Sequence, residues 1–167
     1  MKRTPVTSQK MHEGAGLRPH ASFEIPVKSL AADGDTADRS SRLAAELDVA
    51  RRIAADLAEN GYDLSNVGPG SGGGAGFFCR LNRDCEATVH LGIERREGDA
   101  VQFYLLSWQT SAFLRQVFGG GVKSSPDCDQ CWKDLCHTIN EILVNSLGST
   151  SVVWRTKEEE RNAQHPS

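Results

Sequence analysis

The chain has 167 residues, enough for one domain with its own apolar core and no need of metal or disulfide staples. Its formal net charge is −3, from 19 basic and 22 acidic side chains, so nothing global draws it to nucleic acid or membrane. No apolar run is long enough to span a bilayer, and the basic start (Lys2, Arg3, Lys10) lacks the apolar stretch of a secretion signal, which predicts a cytoplasmic, reducing setting.

Residues 1–37 carry Thr, Ser, Gly, Pro and scattered charge without periodicity and predict a mostly disordered tail. Within it, the alternation Phe23-Glu24-Ile25-Pro26-Val27 predicts a short edge strand over 23–27. A first helix opens at Thr36 or Asp38. Its apolar face is Leu43, Leu47, Ala50, Ile53, Ala54 and Leu57, and its wet side includes Arg42, Glu46, Asp48, Arg51, Arg52 and Asp56. Asn60-Gly61 ends it.

The glycine-rich run Gly68 to Gly76 follows. A phosphate-binding loop follows a strand, opens a helix and usually brings Lys-Ser or Lys-Thr. Here a helix precedes, a strand follows and no lysine is present, so the run reads as a flexible linker or lid. Three strands come next: Phe77–Leu81, then Ala87, Val89, Leu91 and Ile93 alternating with polar residues, then Val101–Trp108. A three-residue turn Arg96-Glu97-Gly98 predicts the pairs Ile93/Val101, Leu91/Phe103 and Val89/Leu105 on one apolar face. The opposite face then carries His90, Tyr104, Leu106 and Trp108, an aromatic surface suited to a protein partner or to self-association.

Thr110 caps a short predicted helix over Ser111–Phe118, with Gly119-Gly120-Gly121 as a hinge. Ser125-Pro126-Asp127 opens a long helix ending near Leu147 and Gly148, with Cys128, Trp132, Leu135, Ile139, Ile142 and Leu143 as one apolar stripe. Ser151–Arg155 predicts a final edge strand, and residues 157–167 a charged, solvated tail.

Five cysteines raise the question of metal or redox chemistry. Cys128 and Cys136 are separated by about 12 Å of helix rise, too far for one tetrahedral zinc. A four-cysteine site from Cys79, Cys85, Cys128 and Cys131 is the zinc alternative. A Cys128-x-x-Cys131 redox pair at a helix start is another, although Asp127 and Asp129 work against a low thiol pKa. The leading reading is that the cysteines are small buried apolar residues, with no disulfide framework and no cofactor. A Cys79 or Cys85 thiol near His90 is the best candidate for thiol catalysis, but no base, orienting partner and oxyanion site can be named together.

The order helix–strand–strand–strand–helix resembles a double-stranded-RNA-binding domain. That family opens its last helix with Lys-Lys-x-Ala-Lys, whereas this helix opens with Asp127-Cys128-Asp129-Gln130 and has one early lysine, Lys133, which argues against nucleic acid. The layout also looks like small acidic type III secretion chaperones and toxin-immunity proteins. That resemblance implies protein binding through a sheet or acidic face and no catalytic site. The sequence therefore predicts one α+β domain over residues 38–156. It has an antiparallel sheet of three to four strands with two main helices on one face, in the order α-β-β-β-α-α-β. The expected function is a non-enzymatic protein-binding module of inhibitor, immunity or chaperone type. A zinc-stabilised domain and a thiol enzyme are the alternatives.

Overall fold

The structure is a computed structural model that describes residues 20–31, 35, 37–83, 85–109, 126–156, 159, 161 and 162. The short helix and glycine hinge expected between residues 110 and 125 lie outside the described residues. So do residues 1–19 and most of the tail after 156.

The first helix, α1 (Arg39–Glu59), starts where Asp38 accepts the Ser40 N–H at its N-cap. It ends at Asn60, before Gly61 in a left-handed conformation. The second, α2 (Pro126–Asn145), buries the whole predicted stripe from Cys128 to Leu143, and Cys136 with it. A left-handed Gly148 follows the turn after it.

Six strands form one antiparallel sheet: β1 (His20–Pro26), β2 (Asp63–Pro69), β3 (Ala75–Arg80), β4 (Glu86–Glu97), β5 (Ala100–Gln109) and β6 (Val152–Arg155), in the order β2-β3-β4-β5-β1-β6. The α+β class is as expected, but the sheet is larger than three to four strands. Two residue runs account for the difference. Residues 63–67, which carry no expected element, and Gly68-Pro69 from the start of the glycine run form edge strand β2. Residues 20–26 are not an edge piece; β1 is hydrogen-bonded on both sides, by β5 and β6. Its inward residues Ala21, Phe23 and Ile25 are fully buried, and Phe23 stacks on Phe103 with ring centroids 5.4 Å apart. These additions also remove the likeness to the three-stranded RNA-binding layout.

The register between β4 and β5 differs from the predicted one by two residues. Leu91 faces Leu105 and Ile93 faces Phe103, with a bulge between Ile93 and Arg95 and a tighter turn at Gly98-Asp99. A two-residue shift keeps every side chain on its predicted face, so the apolar face survives.

Both helices lie on that face. Trp132 of α2 donates from Nε1 to the buried Ser107 Oγ (2.9 Å), and Trp154 of β6 donates to Asn140 Oδ1 (3.0 Å). α1 is rolled relative to the expected face, so that Glu46, predicted to be wet, is 2% exposed. β3 begins opposite Leu91, so its pairing does not reach Ile93, and the Ile93 peptide groups are taken by helix side chains. Glu46 Oε1 accepts the Ile93 N–H (2.9 Å), Arg42 donates to the Ile93 carbonyl (2.6 Å), and the two side chains pair at 3.2 Å. One turn of α1 thus supplies the donor and acceptor a strand would have supplied.

After β6, Thr156 N–H reaches Glu159 Oε2 (2.7 Å) and Glu159 N–H reaches Thr156 Oγ1 (3.1 Å). This reciprocal pair is a capping box, a helix-start signal not read in the sequence.

Candidate functional site

The outward side chains of the sheet form rows. One row runs Gly76, His90, Leu106, His20 and Arg155. A second runs Ser65, Phe78, Thr88 and Trp108, and a third Gly92, Tyr104, Ser22 and Val153. The four residues predicted for this surface, His90, Tyr104, Leu106 and Trp108, therefore lie together on one face. Trp108 is 45% exposed; the other three are half-buried. Among the described residues no helix packs on this side.

Glycines shape the surface by letting side chains lie flat. A Cβ on Gly92 would come within 2.5 to 2.9 Å of the Tyr104 hydroxyl and ring, so Tyr104 covers a position where only glycine fits. Burial, then the charge of Glu46, raise the Tyr104 pKa, and Arg42 partly offsets them. The His90 and Tyr104 rings lie 6.0 Å apart at 39°.

The glycine-rich run is a β2–β3 turn rather than a linker. It closes through Gly70 N–H to Gly74 O and Gly73 N–H to Gly70 O. His90 Nε2 lies 2.8 Å from Gly73 O. A carbonyl only accepts, so Nε2 carries the proton and holds the turn. Gly74 has φ +70°, and a Cβ there would lie 2.7 Å from His90 Nε2. Of the glycines in the run, Gly70 and Gly74 are the two that lie against the imidazole.

Sequence reasoning placed Thr88 on this face and missed His20, Phe78 and Gly92. Phe77-Phe78 contained the signal, because adjacent residues of a strand point to opposite sides and one phenylalanine had to face outward. His20 fell in the residues read as a tail.

The four cysteines considered for zinc are not assembled. Cys85 and Cys128 form a disulfide with Cα atoms 5.9 Å apart, which corrects the expectation of no such bond. Its cause is local. Leu81 and Asn82 N–H groups donate to Cys85 O, and Asn82 Oδ1 accepts the Cys85 N–H (3.0 Å), so a tight 81–85 turn sets Cys85 against the first turn of α2. Cys79 and Cys136 are buried free thiols and Cys131 is half-buried. Among the described residues no three His, Cys, Asp or Glu side chains are grouped to hold a metal ion.

The predicted Cys–His pair does not form either. Cys79 points into the core and His90 to the opposite face, as alternation on paired strands requires. Burial, with the charges of Asp63 and Glu86, pushes the Cys79 thiol up to about 12. Burial also pushes Cys136 up to about 12, against a hydrogen bond from Ser107. Neither is an activated nucleophile. An open cleft of about 310 Å³ at the ends of the two helices is lined by the acidic and polar side chains of Asp56, Glu59, Thr138, Glu141, Asn145 and Ser146. Among the described residues no helix is long and apolar enough to cross a membrane.

No protein-family model matches the chain, and no curated protein matches it.

Proposed function

We propose that this protein is a non-enzymatic protein-binding module that uses the outer face of its sheet. The observation that carries the reading is Trp108, 45% exposed beside half-buried Phe78, Leu106 and Tyr104. Aromatic side chains of this kind anchor partners because they bring large apolar area with little conformational entropy to lose. Inhibitor, immunity and chaperone roles share this requirement. The partner is a protein presenting apolar side chains, and a second copy of the chain is one such partner. The proposal places the protein in the cytoplasm, where disulfides in mesophiles are usually transient.

The test is a photo-crosslinking residue at position 108 beside a control at exposed Arg51 on α1. Native mass separates a homodimer from a hetero-complex. Crosslinks at 108 that disappear with Tyr104→Ala, in a variant that keeps its thermal midpoint, support the reading. Equal crosslinking at both positions rejects it, and so does unfolding of Tyr104→Ala/Trp108→Ala, which would make the face core. Metal analysis of the same sample addresses the zinc alternative, since a stoichiometric zinc content requires an open Cys85–Cys128 pair.

A further inference from the structure

We propose that Cys131 exchanges with the Cys85–Cys128 disulfide, so that the bond moves between the 81–85 turn and helix α2 itself. The reaction is redox-neutral. The Cys131 thiolate attacks Cys128 Sγ, the Cys85–Cys128 bond breaks, Cys85 leaves as a thiolate, and Cys85 takes up the proton that Cys131 gave up. The products are a Cys128–Cys131 disulfide and a Cys85 thiol.

Geometry selects Cys131 from the three free cysteines. It lies three residues after Cys128 on the same helix, where α-helical rise and radius put the two Cα atoms about 5 Å apart. That lies inside the range a disulfide spans, about 4.4–6.8 Å. Cys136 is eight residues from Cys128, about 12 Å along the helix, and cannot reach it. Cys79 is buried in strand β3. Cys131 alone among the free thiols is part-exposed.

Access points the same way. Cys85 and Cys128 are 3% and 4% exposed, so a solute thiol meets little of the bond. Cys131 needs no path through solvent to reach it, and its own exposure lets solute thiols reach Cys131. It is placed as the entry to a buried disulfide. Asn82 spans the two half-cystines. Its Oδ1 holds the Cys85 N–H, which turns its amide nitrogen toward Cys128 Sγ at 3.9 Å. Moving the bond frees Cys85, and with it the β3–β4 turn, from the start of α2. The tie from Gln109 Nε2 to Asp129 Oδ1 (2.8 Å) still holds that helix turn to β5.

The experiment uses the full chain, incubated at pH 6 and pH 8, trapped with N-ethylmaleimide in acid, and digested with trypsin without reduction. Cys85 falls in the peptide 84–95, and Cys128 and Cys131 fall together in 124–133. The starting form gives the two peptides joined, with one label on Cys131. The exchanged form gives 124–133 with an internal disulfide and 84–95 labelled. Both forms are expected. Cys131→Ser should remove the second form and slow opening of the bond by dithiothreitol by roughly tenfold or more. Cys136→Ser should change neither. Joined peptides alone at both pH values overturn the proposal, as does labelling of all five cysteines. An unchanged dithiothreitol rate in Cys131→Ser overturns the entry role.

Discussion

Strand β5 divides its side chains between two faces that have been finished differently. Val101, Phe103, Leu105 and Ser107 point inward and are buried under both helices. Gln102, Tyr104, Leu106 and Trp108 point outward and remain partly open. On the inner face the polar groups are matched: Ser107 Oγ accepts from Trp132, and Glu46 serves Ile93 and Arg42. On the outer face the Thr88 hydroxyl, between Phe78 and Trp108, is a buried polar atom with no partner among the described residues. Folding alone accounts for the first face. It does not account for the aromatic content of the second, since an antiparallel sheet open to water on one side ordinarily turns polar residues outward.

The largest expected effect comes from the closed side. Phe103→Ala removes a fully buried ring and its stack on Phe23, and should cost about 3–5 kcal/mol in a denaturant titration. A cost below about 1 kcal/mol would mean that the inner face is not the core.

The buried thiols give a pH-dependent form of the same test. Cys79 and Cys136 are raised from 9.0 to about 12 by burial, so between those values the folded chain holds protons that the unfolded chain has released. The unfolded state then binds fewer protons, and stability falls as pH rises from about 9 to about 12; below 9 the contribution is complete. The double variant Cys79→Ala/Cys136→Ala should flatten this alkaline loss. An unchanged slope would show that the thiols are not shielded.

Glu46 tests whether the inner face is matched as well as apolar. Glu46→Ala leaves the Ile93 N–H without its acceptor and should cost about 1–3 kcal/mol. Glu46→Gln keeps an acceptor there and should cost less. Equal costs would mean that the charge pair with Arg42, not the cap on Ile93, is what counts.

Glu46 also shows what could be read before folding and what could not. Both helices, the β3–β4–β5 strands and the two faces of β5 follow from periodicity, which acts within one element. The roll of α1 does not, because it depends on where β3 begins and on which peptide groups are left for helix side chains. β2 was hidden by Gly68 and Pro69 at its end and by a bulge between Ser65 and Gly68, and Leu64 and Val67, three residues apart, do not show the alternation of a strand. β1 was undervalued because its partners, β5 and β6, lie far away in sequence. The same limit hid the meeting of Cys85 with Cys128 across 43 residues, while the grouping of His90, Tyr104, Leu106 and Trp108 needed only alternation and a register correct to the nearest even number.

On the outer face, Gly92→Ala should cost about 1–3 kcal/mol, because its Cβ would overlap the Tyr104 ring. The informative measurement is the cycle with Tyr104→Ala. If overlap is the cause, the double variant recovers most of that loss, since the ring that occupied the space is gone. Additive losses would place the cost in the β4 backbone and would remove the argument that Gly92 exists to seat Tyr104.

The smallest expected change in stability belongs to Trp108, and it bears most directly on the proposed function. Trp108→Ala should shift folding free energy by no more than about 0.5 kcal/mol, as for other exposed positions away from caps and buried networks. A binding anchor has the opposite profile, with truncation costing about 2 kcal/mol or more of association. The two numbers separate the explanations for an exposed tryptophan. A large folding cost with no change in association makes Trp108 part of the core. Small costs in both make it an ordinary exposed side chain. Only a small folding cost beside a large association cost fits a sheet whose second face is kept open for another protein.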